Sequence, residues 1–147
     1  MRLLAGLAGP AMTLTEWPEY YQNALQAMKL AERLKLNTLV DYDSLGVYQL
    51  LTQLDDIPAV HTFSEQVIGP LAEYDKRHRS NLVNTIAAYF AHHGNISQTA
   101  ESLFIHRNTL LYRLDRISEL TGHDLNQSDM RLSLHLALKL WQLRPDT

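Results

Sequence analysis

The segment HRNTLLYRLDR, residues 106–116, concentrates side chains suited to a polyanion: His106, Arg107, Asn108, Thr109, Tyr112, Arg113 and Arg116. Arginine forks onto a guanine edge, asparagine pairs bidentately with adenine, and threonine and tyrosine hydroxyls reach phosphate oxygens. Such groups read a duplex when they sit in the first two turns of one helix, because a recognition helix enters the major groove N-terminus first. The apolar residues between them predict that helix. Leu110, Leu114, Ile117 and Leu120 recur four, three and three residues apart and form one stripe. Asn108, Tyr112, Asp115 and Arg116 fall on the opposite face, with Arg107 and Thr109 at the flanks of the first turn.

The residues just upstream predict a second, shorter helix that must hold the first. In NISQTAESLFI, Ile96, Ala100 and Leu103 share one face, while Gln98, Glu101 and Ser102 point mostly outward. Asn95 is placed to cap it, and Gln98 three residues later to answer back as in a capping box. Phe104 and Ile105 break the period, so the turn is very short. A short helix, a tight turn and a longer helix fit a helix-turn-helix, with the small Ala100 where the two helices cross. Phe104 stands where such turns often need a positive φ, so the turn either differs in detail or anchors Phe104 by packing. Spacing alone leaves an ordinary αα-hairpin with a solvated polar face equally open. Tyr112, about opposite the stripe, favours groove or phosphate over a core-edge position; Arg113 suits an internal carboxylate as well as phosphate, and Leu111 a thymine methyl or the core.

Charge and composition narrow the function classes. The net charge of −3 is unevenly spread: residues 1–75 carry four basic and ten acidic groups, and residues 76–116 six basic and two acidic. Positive charge thus gathers around the reading helix, as phosphate contact requires, and the acidic first half suits protein contact better. With no cysteine there is neither a disulfide nor a thiolate metal site, which agrees with a reducing cytoplasm. The seven histidines form no HExxH or i,i+4 pair, and no GxxxxGK or GxGxxG occurs, so no metal, cofactor or catalytic residue is assigned. No apolar run approaches the ~20 residues that span a bilayer. The opening MRLLAGLAGPAM superficially resembles a signal peptide, but Gly and Pro interrupt it; it reads instead as a chain cut from a longer protein, starting inside a domain.

The remaining elements follow in order. Leu3, Leu4 and Leu7 suit the end of a strand broken by Gly6, Gly9 and Pro10. A helix is predicted over Glu16–Lys35 with Tyr21, Leu25, Met28 and Ala31 on its apolar face, then a short extended Leu39-Val40. Asp41 or Asp43 caps a helix over Ser44–Leu54 that turns Leu50, Leu51 and Leu54 inward. Asp55-Asp56-Ile57-Pro58 is a turn and the candidate domain boundary. Helical turns follow around Ser64–Ile68 and Pro70–Asp75, then a scaffold helix over Arg79–His93 presenting Leu82, Ile86, Tyr89 and Phe90, with Gly94 as its C′ residue. Met130–Leu143 alternates leucines like a strand, but lacks β-branched residues and is rich in helix formers, so it is predicted as a helix buried on more than one side and capped by Asp129 or Ser128.

GNISQTAESLFIHRNTLLYRLDRISELTG, followed by DMRLSLHLALKL, closely resembles the C-terminal DNA-binding domain of PucR-type transcriptional regulators, most of all the sugar diacid (CdaR) group. The helix-turn-helix is also similar to that of the nucleoid protein Fis. The likeness runs from about Leu71 to Leu143, and EYYQNALQAMKLAERLKLNTLVDYDSLGVYQLL resembles the end of that family's degenerate GGDEF-like domain. The GGDEF string itself is absent, so cyclase activity is not implied.

The resemblance implies a mainly α fold, a helical bundle with a Fis-like helix-turn-helix preceded by a short α/β remnant. It implies a GGDEF-like remnant over 1–56 and the helix-turn-helix domain over 57–147. The implied function is that of a non-enzymatic, cytoplasmic regulator, an activator of sugar-diacid or related catabolic genes. Its partners would be double-stranded DNA, a second copy in a homodimer and, for an activator, RNA polymerase, with no membrane. The rival is a helical protein-interaction module that binds no DNA.

Overall fold

The computed structural model describes residues 4–54 and 56–144, and Leu3 and Asp55 of the expected strand and boundary turn lie outside them. The described residues are mainly α-helical. β1 (Ala5–Leu7) leads through α1 (Trp17–Arg33) to β2 (Leu39–Asp41), a 3₁₀ turn (Tyr42–Leu45) and α2 (Val47–Gln53). Then follow α3 (Pro58–His78), α4 (Leu82–Ala91), α5 (Ile96–Ser102), α6 (Arg107–Thr121) and α7 (Ser128–Gln142). The chain forms two compact units, one up to Val60 together with the chain from Gln142, the other His61–Trp141.

In the first unit β1 and β2 pair in parallel, with Gly6 opposite Val40, and α1 is the crossover between them. Gly6 lies inside the strand rather than breaking it. A β-carbon there would stand 2.0 Å from the Ala24 carbonyl oxygen and 2.7 Å from the Met28 nitrogen, so only glycine lets the strand lie this close to α1. Ala27, Leu30 and Ala31 make the buried side of α1, and Ala27 and Ala31 pack with Val40. Tyr21, expected inward, is 58% exposed, since the buried stripe runs one position further round the helix. The helix expected over Ser44–Leu54 is divided. Asp41 accepts the Asp43 amide and caps the 3₁₀ turn, Gly46 at φ +54° breaks the path, and α2 starts at Val47. Leu51 is buried, whereas Leu50, also expected inward, is exposed.

In the second unit one core gathers Val67, Ile68 and Leu71 of α3, Leu82, Ile86 and Tyr89 of α4, Ala100 of α5, Leu110, Leu114 and Ile117 of α6, and Leu134, Ala137 and Leu138 of α7. α3 is a single helix of 21 residues that runs through Pro70, not two separate turns. A proline inside a helix costs about 3 kcal/mol. Val67, Ile68 and Leu71 are all buried across that point, and at about 1.5–3 kcal/mol for each such side chain their burial outweighs the loss.

α4 starts at Leu82, three residues later than expected, because Arg79 and Asn81 adopt positive φ of 51° and 56°. Its cap comes from α3: Asp75 accepts the amides of Leu82 (2.7 Å) and Val83 (3.0 Å) and the Ser80 hydroxyl (3.1 Å). At the other end His93, not Gly94, is the C′ residue. His93 N–H donates to Phe90 O and Gly94 N–H to Tyr89 O, the paired bonds of a Schellman closure. Leu134, Ala137, Leu138 and Leu140 are buried in α7, while Leu132 is 66% exposed. Ser128 and Asp129 lie inside its first turn rather than capping it, and the turn closes from Arg131 N–H to the Gln127 carbonyl.

Candidate nucleic-acid interface

The shorter helix, α5, begins as its sequence predicts, with Asn95 Oδ1 accepting the Gln98 amide at 3.1 Å. The reciprocal half of the box is not made, because Asn95 N–H already donates to the His92 carbonyl. Ile96 and Leu103 are half-buried and Ala100 buried, with Gln98, Glu101 and Ser102 exposed. Thr99 is fully buried and satisfies its hydroxyl on the Asn95 carbonyl at 2.7 Å, which makes a polar residue tolerable in that core.

α5 ends at the cap residue Leu103, and the turn is a second Schellman closure: Phe104 N–H donates to Glu101 O and Ile105 N–H to Ala100 O, both at 3.0 Å. Phe104 takes the left-handed conformation (φ 54°) that glycine would hold. Its ring is 96% exposed. Neither expected alternative is met: the turn is the ordinary one, and no packing anchors the phenylalanine. The two backbone bonds hold it.

α6 rests on Leu110, Leu114 and Ile117, all buried, with Leu120 half-buried beside them. This stripe fixes the helix's rotation and turns Arg107, Asn108, Thr109 and Tyr112 outward together with the cap residue His106. None of these five side chains makes a hydrogen bond or ion pair with another described residue. His106 gives α6 no side-chain cap bond, so the positive end of the helix dipole is left for an outside acceptor. Leu111 is 38% exposed at the edge of this face.

The remaining two site residues are half-exposed and tied to neighbouring side chains. Arg113 donates from Nη1 to the hydroxyl of the buried Thr85 at 3.2 Å, so its internal partner is a hydroxyl on α4 rather than a carboxylate. Arg116 pairs with Glu119 at 2.7 Å and lies over the Tyr74 ring, 5.0 Å from its centroid. Glu119 first, and Tyr74 next, hold its guanidinium above the usual arginine range. Thus His106, Arg107, Asn108, Thr109 and Tyr112 form one bare surface, and Arg113 and Arg116 brace α6 against its neighbours.

Two further basic residues, His93 and Arg131, are exposed, although the sequence pattern did not single them out. The usable signal was the helical spacing of Ser128, Arg131, Leu132 and His135, which share a face of α7. Among the described residues no group of His, Asp and Glu is placed to hold a metal ion. No helix among them is long and apolar enough to cross a membrane.

The sequence that folds this way is similar to those of known proteins. Residues 82–140 match the PucR C-terminal helix-turn-helix domain. The chain is 34% identical over 122 residues to the DNA-binding transcriptional activator AdeR of Bacillus subtilis, covering 82% of this chain and 29% of that protein. It is 47% identical over 78 residues to the carbohydrate diacid regulator of Escherichia coli, covering 52% of this chain and 20% of that protein. With the purine catabolism regulatory protein of B. subtilis the identity is 29% over 139 residues, or 94% of this chain and 26% of that one. The chain therefore spans less than a third of the length of each of these relatives. Matched through α4 to α7, the chain carries the C-terminal helix-turn-helix domain of the PucR family.

Proposed function

We infer that the chain is the sequence-specific DNA-binding output region of a cytoplasmic catabolic regulator, and that α6 enters the major groove with His106, Arg107, Asn108, Thr109 and Tyr112 at its leading end. The observation that carries this reading is the bare face of α6, whose polar groups have no internal partner while the stripe beneath them is buried. Arg107 and Asn108 read base edges, and Thr109, Tyr112 and His106 reach phosphates. Arg113 and Arg116 keep α6 in place, with phosphate contact as a secondary role. On this reading residues 1–56 end a degenerate GGDEF-like domain, and 57–147 are the DNA-binding domain.

The 47% identity to the carbohydrate diacid regulator across the DNA-reading part favours sugar-diacid or related catabolic genes as targets. A relative named as an activator favours activation, with RNA polymerase as partner. One helix-turn-helix covers a half-site, so a homodimer would supply the second. The fully exposed Phe104 favours one other reading, a protein-docking face on the same two helices. Duplex binding across a salt series separates them. Phosphate contacts give a steep fall of log K with log salt, by about 0.9 per phosphate neutralised, and a protein-docking face does not. Alanine at Arg107 or Asn108 should cost about 1–3 kcal/mol of specific binding without lowering the melting temperature. Unchanged affinity with lost stability at both positions would overturn the groove assignment.

A further inference from the structure

A pocket of about 340 Å³ lies between the end of α4 and the start of α7, lined by Tyr89, Phe90, His93, Gly94, Ser128, Arg131, Leu132 and His135. Its lining has three nitrogen-bearing basic side chains and no acid. Arg131 and His93 are exposed, and neither side chain has a hydrogen bond or ion pair with another described residue. His135 is held flat against Phe90, with ring centroids 4.1 Å apart, so it is a fixed wall. Tyr89 is 9% exposed, and its hydroxyl makes no hydrogen bond to any described residue. That hydroxyl is not sealed in the core: it opens to the pocket, where an acceptor from outside can reach it. Gly94 leaves room for that hydroxyl, since a β-carbon would come within 3.1 Å of it.

The chemistry suits an oxyanion with several acceptor oxygens. Position favours one source. The chain runs from His93 and Gly94, at the pocket wall, directly into Asn95 and α5, the helix that crosses the sugar–phosphate backbone in helix-turn-helix docking. We propose that this pocket seats a backbone phosphate of the duplex whose bases α6 reads, with Arg131, His93 and the Tyr89 hydroxyl as its donors. The proposal rests on the DNA-binding reading above. It adds a sequence-independent anchor on α4 and α7, outside the two helices of the motif.

The test is duplex binding by the 147-residue chain across a salt series, with an operator-bearing and an unrelated duplex. Arg131→Gln should lower the slope of log K against log salt by about 0.9, which corresponds to about a five-fold loss at 0.15 M salt, equally on both duplexes. Arg131→Lys should restore most of the slope. Tyr89→Phe should weaken both duplexes without changing the slope or the melting temperature, because the hydroxyl has no partner in the free protein. His93→Gly, which suits the φ of 54° there, should weaken both while leaving the fold intact. Parent-like affinity and slope for Arg131→Gln and Tyr89→Phe overturn the pocket and leave the groove assignment standing. A parent chain that binds neither duplex removes both. Variants unchanged on duplex, with a parent that saturably binds inorganic phosphate, would make this a free-anion site and overturn the duplex assignment.

Discussion

The carboxylate of Asp75 accepts the amide of Leu82 at 2.7 Å, so the last turn of α3 caps the first turn of α4. The bond to Val83 and the Ser80 hydroxyl make this a three-point latch on the loop between two core helices. Removing an N-cap of this kind costs about 0.5–2 kcal/mol. Asp75→Ala should lower unfolding stability by about that amount in a denaturant titration. Duplex affinity of the folded fraction should not change, because α6 is untouched. A titration that overlays the parent would show that the latch contributes nothing.

Phe104→Gly should make the protein more stable. A non-glycine residue in the left-handed region costs about 1–2 kcal/mol, and glycine gives back about 0.5–1 kcal/mol in chain entropy. The exposed ring contributes no burial to lose. A net gain of about 0.5–1 kcal/mol is expected as a raised urea midpoint, and a lowered midpoint would mean that the ring stabilises the turn after all.

Ala100→Leu should do the reverse. Ala100 is buried in the core shared by α5 and α6, and its carbonyl accepts the Ile105 amide that closes the turn. Three added carbons overpack that site, at about 1–3 kcal/mol. Because the same shift tilts α6, duplex affinity should fall as well, measured at a temperature where the variant is folded. Stability within about 0.5 kcal/mol of the parent would show that the site has room.

His135 gives a pH dependence of known sign. Burial, followed by the nearby Lys139, pushes its pKa below the ordinary 6.5. The folded state therefore prefers the neutral ring. This contribution is fully present above pH 6.5 and is lost as pH falls from there through the folded value. His135→Phe keeps a ring to stack on Phe90 and should flatten the stability profile between neutral pH and about pH 5. Equal slopes for variant and parent over that window would remove His135 as the cause.

What could be read in the sequence was what repeats locally. Leu110, Leu114 and Ile117 specify the buried side of α6 by spacing alone, and hence which side chains face out. The start of α4 was illegible because its cap, Asp75, comes seven residues earlier, from the helix before. Pro70 looked like a break, since its cost is local while the burial that offsets it depends on partners far along the chain. Arg116 projected onto the outer face of its helix, yet Tyr74 on α3 draws it in. Phe104 resisted reading for the opposite reason: its conformation is set by backbone bonds and not by its side chain.

That turn has a consequence for how such a domain changes its target. The join between α5 and α6 is closed by main-chain bonds, and the seat of α6 lies on its leucines, so the outward residues 107, 108, 109 and 112 are mechanically idle. On the proposed groove reading, exchanging them alters what is read without disturbing how the helix is mounted. The scaffold would then work as a holder with a replaceable face, able to acquire a new operator in single steps that each leave a folded protein.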